Sequence, residues 1–179
     1  MNKIMIGMAL AMFVAAGCNT APSTQADKEA QGKEVEGTIA RFKEKQPSVG
    51  VYMKDAHAYA VFPTVGKGGM GIGGAFGRGQ VFVGGEMVGY SKLTSASIGF
   101  QLGGQSFSEL IFFQSEGAFE KFKGGEFGFD ANASAVAATA GAAAKADYKN
   151  GVAVFVMADA GLMYEASIGG QKFDFEPVK

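Results

Sequence analysis

The chain has 179 residues, 47% hydrophobic and 18% charged, with a formal net charge of −1; that is one ordinary domain plus appendages, without the basic excess that nucleic-acid binding needs. Its 28 glycines, about twice ordinary usage, come with four prolines and no three-residue period, which excludes collagen, and its 16 Phe give it too much to bury for disorder. One Cys and one His exclude a disulfide framework and a multi-cysteine zinc site, and no metal or cofactor is expected.

Residues 1–18 read MNKIMIGMALAMFVAAGC. Lys3 precedes an apolar stretch from Ile4 to Val14, too short to span a bilayer, and Ala15-Ala16-Gly17 supplies the small residues of a signal-peptidase site. The sole cysteine follows at once, and the arrangement resembles a bacterial lipobox, with Ala15 where Leu is common. The resemblance implies a signal peptide over 1–17 and a Cys18 carrying diacylglycerol and an amide-linked acyl chain such as palmitate. Asn19, in place of the Asp that favours inner-membrane retention, points to an outer-membrane anchor facing the periplasm. Residues 18–26 then read as a lipidated cysteine and a flexible tether.

From Asp27 the chain is charged and helix-prone until Pro47, with Val35, Ile39 and Phe42 as a narrow apolar stripe, so a helix is predicted over 27–47. After His57 the period changes to two. Met70, Ile72, Gly74 and Phe76 alternate with Gly69, Gly71, Gly73 and Ala75, which reads as one strand with a bare glycine face. Ile98, Phe100 and Leu102 form another alternating run, as do Leu162 to Ile168 and Phe173 with Phe175. Ile111-Phe112-Phe113 and Val152 to Met157 are apolar on both faces and suit central strands. Gly77-Arg78-Gly79, Gly84-Gly85, Gly103-Gly104, Asn150-Gly151 and Gly169-Gly170 are the turn signals, Asn-Gly being the strongest. Ser115 to Lys123 is predicted as the internal helix. Ala131 to Ala146 holds ten alanines in sixteen residues; propensity favours helix there, whereas Gly141 and the hydroxyls favour tightly packed strand, which is the reading adopted.

Gly66, Gly68 and Gly71 satisfy G-x-G-x-x-G, but strand pattern follows where a dinucleotide site needs a helix. Asp55 and His57, with Ser106 or Ser108, could form a hydrolytic cluster only if the fold brings them together. The glycine face offers a smooth apolar floor for an acyl chain, with Lys67 and Arg78 beside it to meet a phosphate; its alternative is close packing against another layer.

The phrase AYAVFPTVGKGGMGIGGAFGRG at 58–79 resembles the SYLF domain family, as do SIGFQLGGQSFSELIFF at 97–113 and GVAVFVMADAGLMYEASIGG at 151–170. The similarity spans roughly 48–179. It implies phosphoinositide and membrane-lipid binding, and actin binding in some eukaryotic members; an exported lipoprotein has no expected access to actin. The family carries no catalytic motif over to this chain.

These readings converge on a mainly β (α+β) protein, an antiparallel glycine-rich sandwich or barrel-like sheet with an N-terminal helix and one short internal helix. The expected function is non-enzymatic binding of anionic phospholipid by an envelope lipoprotein. Cys18 is the anchor, and Lys67, Arg78, Gly69, Gly71 and Gly73 are the candidate lipid contacts. A module binding an envelope protein and an uncharacterised hydrolase are the alternatives.

Overall fold

A computed structural model describes residues 20–70, 72–98, 103–125, 136–137, 148–158 and 170–178. Among the described residues, seven strands form one sheet in the order β5-β6-β4-β1-β2-β3-β7. They are β1 (Ala58–Met70), β2 (Ile72–Val83), β3 (Glu86–Ile98), β4 (Gly103–Phe113), β5 (Val136–Ala137), β6 (Val152–Ala158) and β7 (Gln171–Pro177). All neighbours are antiparallel except β5 and β6. The described residues also form three helices: α1 (Gln25–Lys45), α2 (Val49–Asp55) and α3 (Glu116–Lys123). The mainly β, α+β architecture expected from the alternation is the one observed.

Local chemistry sets the element ends. Thr24 caps α1 by accepting a hydrogen bond from the Asp27 amide at 3.1 Å, so the helix starts at Gln25 rather than Asp27. Thr20 is buried and the Ala21 amide donates to Glu176 Oε2 at 3.1 Å, so this part of the expected tether is docked on the domain. A second short helix, α2, follows Pro47, where no helix was predicted. Ser115 caps α3, and Gly125 leaves it with φ of 70°. At the predicted hairpin, Asn150 and Gly151 have φ of 52° and 80°, and Lys149 and Val152 exchange backbone hydrogen bonds across them. Gly84 and Gly85, also at positive φ, join β2 to β3.

Several expectations are corrected. Met70 pairs with Ile72, so the alternating glycine run is a hairpin tip shared by two strands, not a single strand. Gly77-Arg78-Gly79 lies inside β2, and Gly103-Gly104 opens β4 opposite Gly69 and Gly68. Of the alanine-rich stretch only Val136–Ala137 is described, as strand; its remainder, with Phe100, Leu102 and Leu162 to Ile168, lies outside the described residues.

Each face of the sheet carries its own core. Tyr59, Val61, Leu110, Phe112 and Phe155 meet Val35 and Phe42 of α1 and Val49 of α2. Ala60, Phe62, Ile111, Phe113 and Val154 meet Phe119 and Phe122 of α3. On this second face the sheet curls: Phe173 of β7 lies 5.7 Å from Phe62 of β1 and 5.2 Å from Phe122, ring centre to ring centre. It is therefore concave and barrel-like, and its layers are closed by side chains rather than by a second sheet.

Pro63 occupies a central strand, where its missing N–H would normally break a ladder. The register of β1 shifts there against both neighbours, between Val61 and Thr64 on one side and Phe62 and Val65 on the other. The buried Ser108 hydroxyl compensates by donating to the Pro63 carbonyl at 2.6 Å, and Arg41 of α1 in turn donates to the Ser108 hydroxyl oxygen at 3.4 Å. Close backbone approach at this bulge explains two glycines of β2. A Cβ on Gly77 would come within 2.8 Å of Val65 Cγ2, and one on Gly79 would collide with the Val61 carbonyl.

Candidate functional site

One helical face of α1 (Asp27, Ala30, Gln31, Glu34) and the bulged parts of β1 and β2 enclose a groove of about 380 Å³. Pro22 and Ser23 close its end, and Thr64, Phe76 and Arg78 form the strand wall. The positions follow from pleating: Ala75 and Val81 point into the concave core, so Phe76, Arg78 and Gln80 point toward α1. Phe76 is 49% exposed, among the most exposed large apolar side chains of the described residues, and the Arg78 guanidinium carbon stands 5.5 Å from its ring centre. Arg78, Asp27 and Glu34 are all exposed, and among the described residues none is in an ion pair. Gln31 is 9% exposed, and its Oε1 is buried without a hydrogen-bond partner.

The structure divides the predicted lipid contacts. Arg78 lines the groove on the α1 side. Lys67 follows Val65 by two residues and shares its side of the sheet, the concave one. The two cations therefore flank no common floor. Gly69 pairs directly with Gly73 across the hairpin; Gly71 and Cys18 lie outside the described residues.

The hydrolytic cluster is not assembled. His57 donates its amide to the Phe113 carbonyl at 2.9 Å and sets its ring 6.1 Å from that of Phe119. Ser108 lies five residues further along β4, roughly 16 Å away at strand rise, with its hydroxyl committed to Pro63. No group of three or more His, Cys, Asp or Glu residues among the described residues could hold a metal ion.

Sequence reasoning missed Glu109. It sits on the concave face of β4, fully buried, and receives a hydrogen bond from Gln171 Nε2 at 2.9 Å, although three strands separate β4 from β7 in the sheet. Burial pushes its carboxyl up to about 8, while the Gln171 bond pulls the other way. The remaining oxygen of each group lacks a partner. A neutral carboxyl can donate its proton to Gln171 Oε1 while accepting from Nε2, which satisfies both residues at once. The signal available in the sequence was one acidic residue inside the apolar run Phe107 to Phe113.

The described residues thus form a curled glycine-rich sheet with separate aromatic cores and an open groove. Residues 94–176 match the family model described as Ysc84, Las17-binding protein actin regulator. This segment, somewhat under half of the chain, is thus similar to the SYLF domain family, a family of binding domains. The matched segment runs from within β3 to β7. No curated protein matches the chain.

Proposed function

We propose that this protein is a non-enzymatic, phospholipid-binding lipoprotein of the bacterial envelope. It is held in the outer membrane through Cys18, faces the periplasm and engages lipid with its SYLF domain. Anionic phospholipid is the ligand class that the family resemblance favours. The observation that carries the reading is the exposed Phe76 with the unpaired Arg78 above it. An aromatic ring can enter the acyl boundary while a guanidinium binds phosphate at headgroup depth. The position of the anchor supports it. Cys18 is two residues from the docked Thr20, a reach of about 7 Å at most, and Pro22 and Ser23 already line the groove. Lipidation would thus hold the groove beside the bilayer.

The test is co-sedimentation of a chain beginning at Asn19 with vesicles of phosphatidylglycerol, cardiolipin, phosphatidylethanolamine or phosphatidylcholine. Binding that Arg78→Glu weakens is the expected result. Wild-type protein that stays in the supernatant with every vesicle refutes lipid binding by the domain. The anchor has its own test: Cys18→Ser should leave an unprocessed or soluble chain that no longer partitions into detergent.

A further inference from the structure

The groove carries one cation and two carboxylates, a pattern that a purely anionic headgroup does not complement. Arg78 stands on the strand wall, Asp27 and Glu34 on the helix wall, and neither carboxylate pairs with the guanidinium. Two turns of α1 separate the acids, with Gln31 between them on the same side. Gln31 adds the unpartnered Oε1, buried in the same wall. Two exposed carboxylates, with one buried unpartnered amide oxygen beneath them, therefore line the wall opposite one phosphate-binding donor in a volume of about 380 Å³.

We infer that this groove binds the zwitterionic headgroup of a primary-amine phospholipid, the phosphoethanolamine type, from the bilayer that holds the anchor. Its phosphate lies on Arg78 and its ammonium among Asp27, Gln31 and Glu34, with Phe76 beside the start of the acyl chains. An ammonium has three N–H donors, and the two exposed carboxylates of the helix wall can accept them, with the Gln31 oxygen buried beneath. Each half is a charge-assisted contact, and together they discriminate both ways. A glycerol headgroup lacks the cation, and its phosphate meets two uncompensated carboxylates. A choline headgroup has the charge but no N–H to donate. The inference rests on the lipid-binding reading above but, at this site, puts a zwitterionic headgroup in place of the anionic class that the family resemblance favours.

The test uses the full-length protein in non-ionic detergent, titrated calorimetrically with glycerophosphoethanolamine, glycerophosphoglycerol, glycerophosphocholine and free phosphoethanolamine. We expect glycerophosphoethanolamine to bind about tenfold or more tightly than the glycerol and choline compounds, the scale of one lost charged hydrogen bond. Arg78→Gln should weaken it by a similar factor. Asp27→Asn with Glu34→Gln should abolish the preference while leaving glycerophosphoglycerol unchanged or tighter. All three positions are exposed, so unchanged melting curves are expected of these variants. Equal binding of the four compounds, or a preference that survives in the double amide variant, overturns the inference. Tighter binding of free phosphoethanolamine than of the glycerol ester overturns the bilayer lipid as the source. If vesicles still bind while these variants change nothing, this site falls and lipid binding stands; if vesicles do not bind at all, both fall.

Discussion

On the concave side of the sheet, α3 and β7 fold Phe119, Phe122 and Phe173 over Phe62 and Phe113 until the space is filled. On the other side α1 buries Val35 and Phe42 just as completely, yet its first turns leave a groove lined by unpaired charges and a half-exposed phenylalanine. Each side holds an ionisable group in an unusual setting. On the concave side it is Glu109, walled off and held by an amide; on the α1 side it is Arg78, open to solvent and stacked on a ring. A sealed face makes the fold, and an incompletely covered one is available to a ligand. Substitutions in the sealed cores should change stability, and substitutions at the exposed groove residues should change binding alone.

The largest effect is expected from Phe62→Ala, which opens a cavity where β1, β7 and α3 meet. A loss of about 3–5 kcal/mol in denaturant unfolding is expected. An effect below about 1 kcal/mol would show that β7 does not close over the concave face.

Glu109→Gln comes next, and its effect depends on pH. The folded carboxyl titrates near 8 and an unfolded one near 4.5. The folded state therefore holds the proton more tightly, so this residue's contribution is most favourable below the unfolded value and is lost as pH rises through the folded one. Wild-type protein should lose on the order of a few kcal/mol through this group between pH 4.5 and 8. The glutamine variant keeps a reciprocal amide pair with Gln171 and should lack that slope. Melting curves at pH 5 and pH 9 decide the matter: near-equality at pH 5 and a more stable variant at pH 9 are expected. Parallel pH profiles would contradict a neutral buried acid.

A smaller loss, about 1–3 kcal/mol, is expected from Ser108→Ala, which leaves the buried Pro63 carbonyl without its hydroxyl donor. Because Arg41 of α1 donates to the Ser108 hydroxyl that the variant removes, the variant should also loosen α1. Hydrogen exchange of the α1 amides, measured beside global stability, would reveal that coupling.

These sites also show what a sequence discloses. Turns that need left-handed backbone were legible, because Asn150-Gly151 and Gly84-Gly85 supply residues that tolerate it. Apolar runs buried on both faces were legible for the same local reason: Ile111-Phe112-Phe113 needs no partner to declare itself. Gly77 and Gly79 were misread as a turn because their cause is not local. They are small since the bulge around Pro63 brings the β1 backbone against them. Lys67 and Arg78 were placed together on the same mistake, since β1 and β2 run antiparallel, with Met70 paired to Ile72, and the two cations lie on different strands. The groove depends on where α1 docks, and no pattern within α1 names its partner strands. Glu109 was legible in principle, as a lone charge in a two-sided apolar run, but its amide partner 62 positions away was not.

The smallest effect on stability belongs to Phe76→Ala, and there the two sides of the sheet separate most sharply. Phe76 is 49% exposed and lies outside both cores, so the substitution should change stability by no more than about 0.5 kcal/mol. Its ring also supports the Arg78 guanidinium at 5.5 Å, and without it that cation keeps its charge but loses one wall of its position. Vesicle binding should therefore fall through two routes, less apolar surface entering the acyl boundary and a less ordered phosphate contact. Phe76→Leu restores much of the apolar area but not the aromatic face, so it separates the two. Recovery of binding in the leucine variant would assign the role to burial alone. Failure to recover, with both melting curves unchanged, would assign it to the stacked arginine. A melting point that falls for both variants along with binding would show instead that Phe76 belongs to the core, and the contrast between a sealed and an open face would be lost.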